Sequence, residues 1–525
     1  SIMSLQKLQR REWLFCAIYI IALLPVMIMR DFTPMNELRY LSIADEALAN
    51  GSFFAFTNHG IPYADKPPLY LWWVMLCRVM AGEHVLWLLS FMTLIPACVI
   101  FIVMSRWMAP YLDARNRYTA MLMLATCEMF IGAAVVLRMD MLMCMFIILA
   151  LRSFFVWYRD PERNRRQRWW FPVWVFLGIF SKGPLAFLIP LLGTAVFLFV
   201  EGRIKTFFRY WNWYTWTVLL VLCGAWFGCV YADGGYEYLD NLLFKQTVGR
   251  AVDAFHHKRP FYYYFISMWY CMAPWSLLMA ALLIKGAVRH RFSRNNPTVF
   301  MITVALVTLA MLSCISSKVD IYLLPAIPLF VYASAFFLND YQRSPLMRWM
   351  AGIPAFILAL ALPGLIIAST YGLLPFPVSV LLYIGAGIIS SGGVSAIVTL
   401  CRKRDMYPVE TSVRCVTYGL LAGVFIGAWG IGDANPTVGY RDMCDKAIEL
   451  SHSYPQAEIM VKDVKRPENM DVYLQRPFTI LPDSVDIPKD RQVILMTKKE
   501  TGRDIPAVRK EESGKFVVIV TDKTE

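Results

Sequence analysis

The sequence predicts an α-helical polytopic membrane protein with a small soluble α/β domain at its C-terminal end. Three observations carry this. The 525 residues are 58% apolar and only 17% charged, too little charge to cover a soluble protein of this size. The apolar residues gather into runs of about 20, the length a helix needs to cross a bilayer. At Asp433 the composition changes, and the long apolar runs give way to strand-length ones. The organisation that follows is a membrane domain over 1–432 and a soluble domain over 433–525.

About thirteen spans are expected, near 13–30, 85–105, 118–136, 139–158, 169–181, 184–200, 213–231, 263–284, 298–315, 320–338, 351–371, 378–400 and 413–431. The first is long and uninterrupted, with no small-residue cleavage site before the charged loop, so it reads as a membrane helix. Ser-Lys-Gly-Pro at 181–184 interrupts the pair at 169–200. Pro and Gly break a helix, and polar backbone is tolerated there only near an end or a wet cavity.

The net charge is +13, but the cations are clustered in alternate loops. Lys7, Arg10 and Arg11 begin the series, followed by Arg106, Arg115 and Arg117, the run at 159–168, and Arg203, Lys205 and Arg209. It continues with Lys285, Arg289, Arg291 and Arg294, then Arg343 and Arg348, then Arg402, Lys403 and Arg404. This is a topology signal, not a nucleic-acid footprint. It assigns these loops and the N-terminus to the cytoplasm, and the C-terminal domain to the periplasmic or extracellular side of a cytoplasmic (inner) membrane. The twelve cysteines include no CxxC and no paired framework, which indicates neither a disulfide scaffold nor a cysteine metal site. The 28 methionines read as packing residues.

The outer loops differ. In the first, 31–84, Asn36 is placed to cap a helix with Leu38, Leu41, Ala44 and Leu48 on its apolar face. The apolar segment at 69–80 is too short to span, and Tyr70, Trp72 and Trp73 suit the headgroup level. Two membrane-parallel helices are therefore expected. In the tail, a helix over 440–452 precedes apolar runs at 457–462, 471–475, 492–497 and 516–521, each read as strand-length. That domain carries no phosphate loop and no His/Cys cluster, so a structural or acceptor-contacting role is expected.

The first loop also holds Glu37, Arg39, Asp45, Glu46, His59, Asp65 and Lys66. Every other outward turn adds ionisable groups. Asp140 stands at a membrane boundary, where a carboxylate is costly unless paired, and a salt bridge to Arg138 is an equally good reading. Lys182 and Lys318 each follow a serine beside a helix end, where snorkelling is the plain alternative. His256, His257, Lys258 and Arg259 precede an aromatic run, and Tyr322 follows Lys318; an interfacial aromatic belt would explain both. Taken together, carboxylates (Glu37, Asp65, Asp140), cations (Lys66, Arg259, Lys318) and imidazoles (His59, His257) face one side. Lys and Arg suit a phosphate, and carboxylates suit proton abstraction or metal binding. That combination points to a lipid-phosphate donor attacked by an acceptor at the outer surface.

The segments NELRYLSIADEALANGSF, GIPYADKPPLYLWW, LRMDMLMCMF, SKGPLAFLIP, HHKRPFYYYF with APW at 273–275, and SSKVDIYLLPAIP occur in this order. In this the chain resembles the GT-C superfamily of integral-membrane glycosyltransferases. The likeness is to the aminoarabinose transferases that modify lipid A, and more distantly to the protein O-mannosyltransferases. The resemblance implies the GT-C fold and a polyprenyl-phosphate sugar donor. It also implies a lipid or glycan acceptor outside the cytoplasm and, usually, inversion at the anomeric carbon. By position it implies that Lys66 binds the donor phosphate, helped by Arg259 or Lys258 and by Tyr322. Asp140 matches an acidic residue of the second outer turn. Asp65 with His257 would form a divalent-metal (zinc-like) or hydrogen-bond pair, and no cofactor is otherwise required. Arg39, Lys182, Lys318 and His59 would contact substrate or support the structure.

One departure stands out. Asn36 with Glu37 replaces the family's Asp-Glu, and an amide does not accept a proton at neutral pH. Either Glu37 or Asp140 serves as base, or the acceptor is a phosphate, already anionic, that needs positioning only. Three rivals remain at this level. One is a lipid or sugar transporter or flippase using the same intramembrane charges, although no inverted repeat is visible. Another is an enzyme with a hydroxyl acceptor, such as a protein O-glycosyltransferase. The third is a non-catalytic relative.

Overall fold

The structure, a computed structural model, describes residues 2–252, 258–402 and 404–523. A helix or helix pair occupies each expected span. Among the described residues, seven helices are long and apolar enough to cross a bilayer alone, and up to nine spans result if each of two bent pairs counts as one. Gln167–Ser181, Leu185–Val200, Thr298–Cys314 and Ala326–Ala335 are only 15, 16, 17 and 10 residues long, below the usual bilayer length.

The bent pairs depart from the expectation of continuous spans at 118–136 and 263–284. Ala114–Thr126 and Glu128–Val135 meet at 63°, and Tyr263–Cys271 and Ser276–His290 at 112°. The two breaks lie against each other. The Glu128 N–H donates to the Ala273 carbonyl at 2.8 Å, and the Trp275 indole N–H to the Thr126 hydroxyl at 2.8 Å. Each break thus satisfies polar groups the other exposes, which is how broken helices survive at membrane depth. The helix expected at 213–231 continues to Asp240 through a kink at Gly235, whose φ is 75°, and then over Asn241–Val248 as a wider, π-type turn. Much of the connection expected over 232–262 is therefore helical.

At the end of the helices that meets the C-terminal sheet, helix α1 (Ile2–Met29) leads into α2 (Glu37–Asn50). A two-residue hairpin, β1 (Thr57–Asn58) and β2 (Ile61–Pro62), turns through His59 and Gly60 at φ 55° and 78°. Helix α3 (Leu69–Ala81) follows. Asn36 precedes α2 but does not cap it; its side-chain oxygen accepts from Arg39 at 3.0 Å instead.

The C-terminal domain is a five-stranded sheet in the order β4-β3-β5-β7-β6. The strands are β3 (Glu458–Lys462), β4 (Thr479–Leu481), β5 (Val493–Lys498), β6 (Ala507–Ser513) and β7 (Phe516–Thr521). Pairing is parallel across β4-β3-β5 and antiparallel across β5-β7-β6. The run at 471–475, read as a strand, is instead a short helix, Asp471–Leu474. Alternation gives the sheet two apolar faces. Ile459, Val461, Ile494, Met496, Val518 and Val520 share one core with Met443, Ala447 and Leu450 of the helix Arg441–Ser453. The opposite face, Met460, Val493, Leu495, Val517 and Ile519, is covered by Ile487, Ile505 and Ala507. The first core also contains Leu38, Leu41 and Ala44 of α2, so the sheet is seated on the segment that carries α2. Ser42 donates to Asp471 at 3.1 Å, and Arg466 donates to the Met35 carbonyl at 2.7 Å.

Candidate active site

The site forms where helix ends are forced together by the breaks in the chain. Asp140 is the first residue of the helix Asp140–Arg159 and is 1% exposed, a position where the helix dipole favours a negative charge. Its Oδ2 accepts from Arg138 Nε at 3.0 Å, and its Oδ1 is paired with the Lys182 ammonium. Lys182 closes the helix Gln167–Ser181, just before Gly183, whose φ is 139°. The interruption read at 181–184 is thus the device that turns a lysine inward. The same ammonium lies 4.8 Å from the Tyr322 ring centroid, within cation–π range.

In front of this cluster is a cavity of about 150 Å³. Asp65, Lys66, Lys182 and Tyr322 are on its polar side with Gln246, Thr247 and Ser317, and Leu188, Leu312 and Ile315 are among its apolar walls. Lys66 lies 4.0 Å from Asp65. The loop that carries both is held from the helix Trp213–Asp240. The Tyr238 hydroxyl accepts from the Phe56 N–H at 3.1 Å and donates to the Tyr63 carbonyl at 2.8 Å. Asp233 accepts from the Phe54 and Ala55 N–H groups at 3.0 and 2.8 Å.

Other expected site residues sit around this centre. Lys258 and Ser317 form an antiparallel bridge, and the Arg259 N–H donates to the Ser316 carbonyl at 3.4 Å. Lys318 is 4% exposed and donates to the carbonyls of Arg259, at 3.2 Å, and Ile315. It clamps the two segments together, and burial holds its ammonium below the ordinary lysine range. The exposed Arg259 guanidinium lies 5.7 Å from the Tyr263 ring. Lys258 and Arg259 therefore stand beside the cavity without lining it.

Glu37 is fully buried and engaged on both oxygens. Oε1 accepts from Arg30 Nη1 and the Thr33 N–H, each at 2.6 Å, and Oε2 from Arg30 Nη2 at 2.7 Å and the Leu137 N–H at 2.8 Å. It ties α1, α2 and the turn before Asp140 together. Asn36 is turned to Arg39, which also lies 5.4 Å from the Tyr63 ring. His59 belongs to the domain contact, 3.4 Å from the Ser42 hydroxyl and 3.9 Å from Asp471. The contributions of Arg30, Tyr238, Gln246 and Thr247, the last two lining the cavity, were not read from the sequence. An arginine seven residues before an acid at the end of a span was the one available signal.

Among the described residues no group of three or more His, Cys, Asp or Glu is placed to hold a metal ion. Asp65 has the Lys66 ammonium at 4.0 Å and the Tyr63 hydroxyl at 3.4 Å, a setting that a divalent cation would have to displace. His257, its expected partner, lies outside the described residues.

No family model matches the chain. It is similar to the undecaprenyl phosphate-alpha-4-amino-4-deoxy-L-arabinose arabinosyl transferases of Shewanella sediminis and Pseudomonas aeruginosa. Each is 24% identical, over 310 and 299 residues, or 57% and 56% of this chain. The alignments span 54% and 53% of those proteins, so the chain spans about half the length of the transferases it matches. The crystal structure of ArnT from Cupriavidus metallidurans bound to undecaprenyl phosphate superposes with a TM-score of 0.73, covering 96% of this chain and 97% of that one, at 17% identity. The fold is that of ArnT. The apo structure of the same protein gives 0.74 over the same coverage. The ArnT fold extends across both the membrane domain and the C-terminal domain, and the resemblance read from the motifs holds in sequence and in fold.

Proposed function

We propose that the protein transfers a sugar from undecaprenyl phosphate to a lipid acceptor at the outer face of the cytoplasmic membrane. The observation that carries this is the cavity itself, with Lys66, Lys182 and Tyr322 at its polar side and leucine and isoleucine walls beside them. It suits a phosphate joined to a hydrocarbon chain, and the ArnT structure with undecaprenyl phosphate shares the fold. In this reading there are thirteen spans, the N-terminus is cytoplasmic, α2 and α3 lie along the outer surface, and the C-terminal domain is periplasmic.

Lys66, with Arg259 and Lys258 approaching from the side, stabilises the charge that builds on the leaving lipid phosphate, which is electrostatic catalysis. The acceptor oxygen attacks the anomeric carbon from the opposite face, that carbon's bond to the phosphate oxygen breaks, and configuration inverts. Asp140, held on both oxygens by cations, orients the acceptor side of the cavity through Lys182. Glu37 and Asn36, committed to Arg30 and Arg39, position the outer loop. With these groups so engaged, an acceptor phosphate that arrives already anionic fits better than a hydroxyl that must lose a proton.

The test is incubation of the reconstituted protein with labelled undecaprenyl-phosphate sugars and lipid acceptors bearing a phosphate or only hydroxyls. Label is expected on the phosphate-bearing lipid. Lys66→Ala should abolish transfer with the protein still folded and inserted. Transfer by that variant at the native rate would overturn the assignment of Lys66, and label only on hydroxyls would overturn the acceptor.

A further inference from the structure

The geometry points to a second lipid site, at the end of the membrane domain away from the C-terminal domain, that takes an anionic diacyl phospholipid. A groove of about 660 Å³ lies between the helices Pro345–Ala359 and Val380–Cys401. One end of this helix pair is anchored beneath the C-terminal domain, where Ser379 bonds the Gly430 carbonyl and Thr437 the Pro375 carbonyl. The groove is at the other end, with Arg343 and Arg348 at its mouth.

Three features select the occupant. The first is charge. Arg348 makes one hydrogen bond, from Nη1 to the Leu400 carbonyl at 3.3 Å, and its Nε is buried with no partner among the described residues. Neither it nor Arg343 has a carboxylate partner there, and Arg402 stands at the end of the facing helix. A guanidinium fork in this state suits a phosphate oxygen. The second is the lining, which beyond the arginines is apolar, with Phe356 and Ile397 on facing walls. The third is length. From Arg348 to Ile357 the wall runs nine residues, about 14 Å along a helix, roughly half of the ~30 Å hydrocarbon core. That is the depth of one leaflet, the span of an acyl chain whose headgroup sits at the arginines. The alternation of basic loops assigns this end to the cytoplasmic side, where basic pockets between helices bind anionic headgroups.

The groove is open because position 352 is glycine: a Cβ there would reach only ordinary contact, 3.6 Å, with Leu400. A leucine at 352 fills the groove and leaves the arginines in place.

The experiment is native mass spectrometry of the full chain in nanodiscs, exchanged between phosphatidylglycerol and phosphatidylcholine. The native protein is expected to retain phosphatidylglycerol. Loss of affinity should be about fivefold for Arg343→Gln or Arg348→Gln and about thirtyfold for both, at roughly 1 kcal/mol per arginine, with the melting midpoint unchanged. Gly352→Leu should expel the lipid with both charges intact, which keeps the test decisive if the double variant fails to fold. Undiminished retention by Gly352→Leu, or recovery of phosphatidylcholine or a polyprenyl phosphate from the groove, would overturn the proposal.

Discussion

Replacing Glu37 with alanine separates a structural clamp from a catalytic base. The carboxylate is fully buried, its Arg30 partner is 14% exposed, and four donors converge on its two oxygens at 2.6–2.8 Å. Removing one member of a buried, hydrogen-bonded ion pair costs about 3–5 kcal/mol, because the other charge is left uncompensated. Here the Thr33 and Leu137 N–H groups lose their acceptor as well, which places Glu37→Ala at the upper end of that range. Among the described residues Arg30 then keeps the carbonyls of Asp31 and Val135 as partners, at 2.9 and 2.7 Å. Adding Arg30→Met removes the orphaned charge, so the double variant should be more stable than Glu37→Ala alone, a coupling that a double-mutant cycle reads directly. The assay is thermal unfolding of purified protein in nanodiscs, followed in parallel by sugar transfer. Because Leu137 leads into Arg138 and Asp140, turnover should fall together with stability. A Glu37→Ala protein with the native melting midpoint but no turnover would refute the clamp and restore Glu37 as a base.

Two other perturbations test how the segment 31–84 is held. Tyr238→Phe strips the Phe56 N–H of its acceptor and the Tyr63 carbonyl of its donor; the cost is about 1–3 kcal/mol, and it should appear as a several-fold rise in KM for the lipid donor, because Asp65 and Lys66 ride on that loop. Asp471 is pushed above its ordinary value of 3.8, first by burial, with His59 and Ser42 opposing. A carboxyl raised on folding contributes stability that is full below that ordinary value and lost as pH rises through the raised one, so at neutral pH its charge works against the domain contact. Asp471→Asn should therefore raise the melting midpoint at pH 7 and flatten its dependence on pH above 3.8; a lowered midpoint at pH 7 would show that the His59 pairing outweighs burial.

The membrane class and the helical segments were legible because each rests on apolar run length, a property of local sequence. The strands β3, β5 and β7 were legible for the same reason. The polar edge strand β6 (Ala507–Ser513) was not, because it faces solvent and its pairing with β7 is not local. The run Asp471–Leu474 has strand-like residues but packs as a helix against α2 and the helix Arg441–Ser453, a tertiary contact that overrides propensity. The break at Cys127 was invisible for a similar reason. No Pro or Gly marks it, and it is stabilised by groups about 150 residues away in sequence, such as Trp275. In the candidate site, Lys66, Lys182 and Tyr322 could be picked out only from the motifs that carry the family resemblance, because a lysine or tyrosine beside a span end is by itself ordinary. Their grouping into one cavity depends on the Lys182–Asp140 pair and on the Tyr238 anchor, neither of which has a sequence spacing that announces it.

The placement of Asn36 bears on what accepts the sugar. If an amide had simply replaced a working base, its side chain would face the cavity and leave a gap there. Instead it accepts from Arg39 in the first turn of α2 and is absent from the cavity wall. Its neighbour Glu37 is spent on Arg30 and two backbone donors, and Asp140 on Arg138 and Lys182. Three carboxyl or amide groups that the motif order would place at the reaction are thus each matched to a cation of the protein itself. The polar groups on the cavity wall are Asp65, Lys66, Lys182, Gln246, Thr247, Ser317 and Tyr322, with Lys182 paired to Asp140 and Lys66 4.0 Å from Asp65. The two lysines are nevertheless placed before the reaction begins, where they can lower the energy of a leaving lipid phosphate. They do less for a neutral hydroxyl, whose activation needs a proton acceptor within about 3 Å. Asp65 is the carboxylate that stays on that wall, so the phosphate acceptor proposed above predicts that Asp65→Asn keeps transfer to a phosphate-bearing lipid, and loss of transfer with the fold intact would point to Asp65 as a base for a hydroxyl.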